Sequence, residues 1–216
     1  MKYMFASDVH GSAYFCRKML EAYREEGAER LVLLGDLLYH GPRNDLPKEY
    51  APKEVIAMLN DKKDEIYTVR GNCEAEVDQM VLEFPVLADY CVLVIEGKTF
   101  FATHGHVYNT DHLPPLKKGD ILIHGHTHVL KAENMGDYIW LNPGSVSIPK
   151  EGNPPTYAVL ENGLFEIKDF YGNVSQGPGP PTSQPPTPNP PPPGPNPPGT
   201  PPTQDPGGVP GSQPPL

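Results

Sequence analysis

Five short apolar runs in this chain stop at side chains that can hold a metal. "KYMFASD" ends on Asp8, with His10 two residues on; "RLVLLGD" ends on Asp36; "EIYTVRGN" ends on Asn72. Farther along, "TFFAT" is followed by His104, and "DILIH" by His126 and His128. Short apolar runs bounded by Gly, Pro or polar residues read as buried strands. Sites in α/β folds gather at the carboxyl ends of strands. Strand after strand ending in an oxygen or nitrogen donor therefore describes a fold that brings those donors together.

Helical patterns separate the first runs. "SAYFCRKMLEAYREEG" offers Ser12 as N-cap, apolar Phe15, Met19, Ala22 and Tyr23 at helical spacing, and Gly27 as its close. "KEVIAMLNDKK" and "EAEVDQMVLE" read as two more helices. After residue 90 the texture changes. "YCVLVIEGKTFFATHGH" is a hairpin turning at Glu96-Gly97-Lys98, "DYIWLNPGSVS" follows, and "TYAVLENGLFEIKDF" turns through Asn162-Gly163. A βαβα first half and a mostly β second half predict an α/β class, a two-sheet α/β sandwich with helices outside two sheets.

The last part of the chain is a different material. From 174 to 216 it holds 19 of the 29 prolines, no aromatic residue, no Lys or Arg, and one acid, Asp205. Such a segment cannot bury enough apolar surface to offset its ordering entropy. The expected organisation is one compact domain over 1–173 and a disordered, partly polyproline-II tail over 174–216.

A net charge of −10 argues against a nucleic-acid polymer as partner, since that needs basic phosphate contacts. It also fits an anionic membrane surface poorly. No apolar run approaches the length of about 18 residues that a membrane span needs, and "MKYMFASDVHG" has no apolar signal core. A cytoplasmic protein acting on a small molecule is expected. The exposed faces of the hairpin strands are candidates for a homo-oligomer contact. Cys16, Cys73 and Cys91 are odd in number and lack CxxC spacing, which indicates neither a disulfide framework nor a cysteine zinc site.

The seven donors can hold two divalent ions about 3.5–4 Å apart with one carboxylate bridging. Mixed imidazole and carboxylate without an obvious thiolate suits Mn, Fe, Co, Ni or Zn. So many histidines do not suit calcium. Each residue alone has a plainer reading: Asp8 or Asp36 as an N-cap, Asn72 as a turn residue, the "GHTH" histidines as surface decoration. Taken together those readings fail. His124 alternates with His126 and should face the other side of its strand. His106 either supports His104 or assists a leaving group. His40 and Arg43, in "YHGPRN", are candidates for binding a substrate phosphate, against a plain pairing of Arg43 with Asp45. His112 reads as loop decoration, and Asn142 as a turn former before Pro143 and Gly144.

"DVH", "GD", "GN", "HGH" and "GHTH", in this order at strand ends, resemble the calcineurin-like metallophosphoesterase family over essentially all of 1–173. "LLYHGPRN", "VRGNCEAEVDQM" and "NPGSVSIPK" are similar in more detail to the YfcE-type bacterial phosphodiesterases within it. The resemblance implies a first ion on Asp8, His10 and His128, a second on Asn72, His104 and His126, and Asp36 bridging as a catalytic ligand. It implies two divalent ions, Mn²⁺ first with Ni²⁺, Co²⁺, Fe²⁺ and Zn²⁺ as alternatives. The implied activity is that of a phosphodiesterase, with hydroxide between the ions attacking the phosphorus of a small phosphodiester in line.

One position departs from the family. Many members read Gly-Asn-His followed by an acid, and that His is credited with stabilising the transition state or protonating the leaving oxygen. Here the run is Gly71-Asn72-Cys73-Glu74. A thiol, with an ordinary pKa of about 8.5, is a weak hydrogen-bond donor. General acid help is typically worth about 10²–10⁴-fold, so its loss favours diesters with acidic leaving groups over alkyl monoesters. Two alternatives share the fold: a phosphomonoesterase or protein phosphatase, and a non-catalytic scaffold like the small retromer subunit. The complete set of seven donors argues against the scaffold.

Overall fold

The structure, a computed structural model, describes residues 1–176. From residue 177 the expected proline-rich tail lies outside the described residues. Three parallel strands begin the fold: β1 (Tyr3–Ala6), β2 (Arg30–Leu33) and β3 (Ile66–Thr68). Parallel neighbours need long crossovers. α1 (Ala13–Glu25) supplies the first and α2 (Pro52–Asn60) lies in the second. Ser12 caps α1 by accepting the Phe15 amide, as its sequence predicts.

Strand alternation then divides the core. Met4, Ala6, Leu31 and Leu33 face the helices and meet Cys16, Met19, Val55 and Leu59. Phe5, Val32 and Leu34 face the opposite way, into a second apolar layer. Phe5 is fully buried there, its ring stacked 6.1 Å from that of Phe100. Truncating such a ring costs about 3–5 kcal/mol.

The second sheet supplies the other wall of that layer. It contains β4 (Tyr90–Ile95), β5 (Lys98–Thr103), β6 (Ile121–Ile123), β7 (Lys131–Asn134) and β8 (Ile139–Asn142), in the order β4-β5-β6-β8-β7. β9 (Thr156–Glu161) and β10 (Leu164–Asp169) return to the first sheet, and β11 (Val174–Gln176) pairs with β10. The first sheet reads β11-β10-β9-β1-β2-β3. The expected Asn162-Gly163 turn joins β9 to β10, both residues having positive φ as a two-residue hairpin of this twist requires.

The helices α1 and α2 lie on the outer face of the first sheet. The second sheet joins its parallel strands β5 and β6 through a loop, and β6 and β8 through β7. β7, "KAEN", carries too little apolar pattern to read as a strand. It is an edge strand, antiparallel to β8, and needs no buried face.

Candidate metal centre

The seven donor residues lie where the two sheets meet. The loops after β1 and β2 run side by side, the Asp8 amide donating to the Gly35 carbonyl and the His10 amide to that of Asp36. The His126 amide donates to Asp8 Oδ2 at 3.0 Å, which ties the loop after β6 to the loop after β1. Asp8, His10, Asp36, His126 and His128 all have positive φ, between 49° and 66°. Such backbone is held at a cost of order 1–3 kcal/mol per residue and persists where surrounding structure fixes it.

Three histidines are aimed by backbone carbonyls. Nδ1 of His10 lies 2.7 Å from the Tyr39 carbonyl, that of His128 2.7 Å from Ile148, and that of His104 2.7 Å from Leu34. Each contact is satisfied when Nδ1 carries the proton, which leaves Nε2 with a lone pair for the centre. His126 is turned the other way, with Nδ1 3.2 Å from His104 Nε2.

The donor atoms form two adjoining groups. Asp8 Oδ1 lies 3.5 Å from His10 Nε2 and 3.2 Å from His128 Nε2, and the two imidazole nitrogens are 3.3 Å apart. On the other side, His104 Nε2 lies 3.1 Å from Asn72 Oδ1. Asp36 Oδ2 faces both groups, 3.6 Å from His10 Nε2 and 3.5 Å from His104 Nε2. Ligand atoms on one ion with bonds of about 2.0–2.2 Å sit about 3–3.5 Å apart, so these spacings fit divalent cations. Asp8 Oδ1 is also buried with no hydrogen-bond donor. An unpaired buried carboxylate oxygen is costly, and a cation in contact with it removes the cost.

The protonation pattern of these side chains by themselves agrees. Burial alone would raise Asp8, but contacts from His10 and His128 hold it well below the usual carboxylate range. Burial would likewise raise Asp36, yet His104 holds it low. Burial opposes charge on His104, and Asp36 and Asp8 outweigh that, raising it to about 9. His126, pushed down by burial and by His104, falls to about 4. The two carboxylates thus favour positive charge at His104.

Several supporting residues lie within the quoted motifs, but their partners had no signal in strand or motif spacing. Glu74 is buried, and its carboxylate accepts the amides of Asp36 (2.9 Å), Leu37 (2.7 Å) and Gly71. Burial and the charge of Asp36 lift its pKa to about 7, against the pull of those amides. Ser145 and Ser147 each donate to the Asp8 carbonyl at 3.0 Å. Asn142 forms the turn expected of it, accepting the Gly144 amide, and also donates to Gly125 and Thr127 within "GHTH". Gly71 and Gly125 are required by close approach. A methyl at Gly71 would strike the Asp36 carboxylate, and one at Gly125 would strike Ser7 and Asp8.

A cleft of about 490 Å³ opens above the donors, with Arg43, Asn44, Cys73, Thr127 and Lys150 on its walls. The Cys73 amide donates to Asp36 Oδ1 at 2.8 Å, and burial followed by the Asp36 charge pushes its thiol upward, so it stays neutral. His106 stands beside the second group, its ring 5.4 Å from that of His104, and burial lowers its pKa. His40 is not on the cleft wall. Its ring packs edge-on against Tyr39 and Tyr50, so the structure does not bring it to the donors with Arg43. His124 turns away, as its alternation predicts, and accepts the Trp140 indole N–H at 2.8 Å.

Two sheets with this topology, converging on Asp, Asn and His donors at strand ends, define a phosphoric ester hydrolase of the metallophosphoesterase class. Residues 1–163 match the calcineurin-like phosphoesterase superfamily domain, and the chain belongs to that family. It is 48% identical over 167 residues to Phosphodiesterase YfcE of Escherichia coli, covering 77% of this chain and 91% of that protein. It is 26% identical to Phosphodiesterase MJ0936 of Methanocaldococcus jannaschii, covering 78% and 98%. The solved structure of YfcE, described as a phosphoesterase, superposes with a TM-score of 0.81 at 45% identity, over 82% of this chain and 98% of that one. Vacuolar Protein Sorting 29 from Cryptosporidium parvum shares the fold at a TM-score of 0.54 and 18% identity, over 82% and 96%. Members of the metallophosphoesterase class use divalent metal ions, and the donor groups described above suit them.

Proposed function

We propose that the chain is a metal-dependent phosphodiesterase that holds two divalent ions and hydrolyses a P–O bond of a small phosphodiester. Asp8, His10 and His128 would hold one ion, Asn72, His104 and His126 the other, with Asp36 facing both groups. The observation that carries the reading is Asp36 Oδ2, set between His10 Nε2 and His104 Nε2 at 3.6 and 3.5 Å. Divalent ions held there would supply acidification of a water and neutralisation of phosphate charge, the chemistry that hydrolysis of a P–O bond needs. Mn²⁺ suits the mixed donors, with Ni²⁺, Co²⁺, Fe²⁺ and Zn²⁺ as alternatives.

The remaining roles belong to this chain's own side chains. Tyr39, Ile148 and Leu34 carbonyls keep the imidazoles in one tautomer. Arg43, on the cleft wall, contacts substrate. His106 lines the side of the second group and supports His104. Cys73 occupies the place of a general acid without the acidity to serve as one, which directs the site toward diesters. The name of the relative at 48% identity, Phosphodiesterase YfcE, supports that direction.

The test uses metal-stripped protein reconstituted with Mn²⁺ and given bis(p-nitrophenyl) phosphate or p-nitrophenyl phosphate. Diester cleavage that requires metal and falls by about 10²–10³-fold in Asp36→Asn is expected. Cleavage of the monoester alone would turn the reading to a phosphomonoesterase. Ion binding without turnover of either would turn it to the scaffold function.

A further inference from the structure

The cleft carries two cations that the metal centre does not use. Arg43 and Lys150 are both exposed, while His10, Asp36 and His128 on the floor are buried. Asp36 is the one acidic residue on the cleft wall among the described residues, and it faces the donors. This local surplus of positive charge stands in a chain whose net charge is −10.

The backbone beneath each cation is fixed. The turn that carries Arg43 is closed by Asn44, whose amide donates to Gly41 and whose side chain donates to His40 at 2.8 Å. The Lys150 amide donates to the His128 carbonyl at 3.1 Å, and its own carbonyl accepts both the amide and the side chain of Asn153. The two segments also aim the ligands of one donor group. Tyr39, four residues before Arg43, orients His10, and Ile148, two residues before Lys150, orients His128. Both cations line the cleft and belong to segments that contact the His10 and His128 pair, whose rings lie 5.1 Å apart.

Resting on the phosphodiesterase reading, we infer that Arg43 and Lys150 form a subsite for a second phosphate, so that the enzyme takes phosphodiesters whose non-leaving arm carries a terminal phosphate group. A phosphodiester brings one negative charge, which divalent ions held by the buried donors would meet. Cations at the mouth serve a charge farther out. The cleft's 490 Å³ exceeds what a lone phosphate fills and lies in the range of pockets that enclose a small organic ligand. A guanidinium fork beside an ammonium suits a terminal phosphate, and Asn44 and Thr127 add neutral hydrogen-bonding groups on the same wall.

The experiment compares two chromogenic diesters in the Mn²⁺-loaded, full-length protein: the p-nitrophenyl ester of thymidine 5′-phosphate, with and without a 3′-phosphate. The 3′-phosphorylated ester should show kcat/KM about tenfold higher, mostly through KM. The preference should shrink as salt rises, because both cations are exposed. Arg43→Met with Lys150→Met should bring the ratio of the two esters to about 1. Lys118→Met, an exposed charge off the cleft wall, should leave that ratio as in the parent protein. Equal kcat/KM for the two esters in the parent, or a preference that survives the double substitution, overturns the subsite.

Failure to cleave either ester counts against the phosphodiesterase reading instead. The subsite is then judged by calorimetry with thymidine 5′-phosphate and thymidine 3′,5′-bisphosphate. The bisphosphate should bind about tenfold more tightly to the parent and with no advantage to the double variant. Equal affinities in the parent overturn the subsite on this arm too.

Discussion

Cys73 holds the place where the family commonly has a histidine, and burial together with the Asp36 charge keeps its thiol protonated. A protonated thiol can do little for an alkoxide leaving group. Cys73→His should raise hydrolysis of alkyl monoesters relative to activated diesters by about tenfold or more, within the usual range of general acid catalysis. An unchanged monoester-to-diester ratio would remove Cys73 from the account of specificity. Glu26 shows a different single-residue effect, far from the centre. Burial would raise its carboxyl, but Lys2 at 2.7 Å and Lys168 at 2.9 Å hold it below its ordinary value. A depressed pKa stabilises the folded chain above the unfolded value of about 4.3, and the benefit fades as pH falls through the folded one. Glu26→Gln should cost about 1–3 kcal/mol at pH 7 in urea melts, and the difference should close as pH falls below about 4. An equal cost at pH 3 and pH 7 would count against the pairing. At this scale the sequence is most legible: the seven donors stand at predicted strand ends, and the structure brings them together. His40 was the exception, because ring packing with Tyr39 and Tyr50 has no signature in a loop that also carries Arg43.

At the scale of the element, the centre depends on how loops are joined, and the joints are long in sequence. Glu74 grips the loop after β2 through Asp36 and Leu37 and the loop after β3 through Gly71. Ser145 and Ser147 reach back to Asp8, more than a hundred residues earlier. Each such bond joins a side chain to a backbone atom, and periodicity says nothing about backbone atoms brought close by the fold. The one available signal for Glu74 was its place directly after Asn72 and Cys73. Glu74→Ala would leave three buried amides without an acceptor, at about 1–3 kcal/mol each. Stability of the metal-free protein should fall by about 3 kcal/mol or more, read from urea midpoints, and Mn²⁺ affinity should fall with it. A loss under about 1 kcal/mol would show that the loops are held by other means. Helices, hairpins and the Ser12 cap were readable because their causes are local. β7 was not, because an edge strand such as "KAEN" needs pairing and no apolar face.

At the scale of the molecule, the sandwich is closed by elements within residues 1–176. β11 extends the first sheet through Gln176, three residues past the boundary that composition places at 173. Removing 177–216 should shift the melting temperature by no more than about 2 °C, less than 1 kcal/mol produces in a domain of this size. A larger fall in differential scanning calorimetry would give the tail a structural role. The charge of −10 and the site also belong together at this scale. Buried carboxylates that favour positive charge at His104 make a centre suited to divalent metal. The most direct test of that claim is diester turnover measured against equivalents of Mn²⁺ added to the metal-stripped protein, with bound metal counted in the same samples. Activity rising to a plateau at about two ions per chain, and lost in Asp36→Asn, is the predicted result. A plateau at one ion, or full turnover in stripped protein, would contradict a bridged pair of ions as the source of the chemistry.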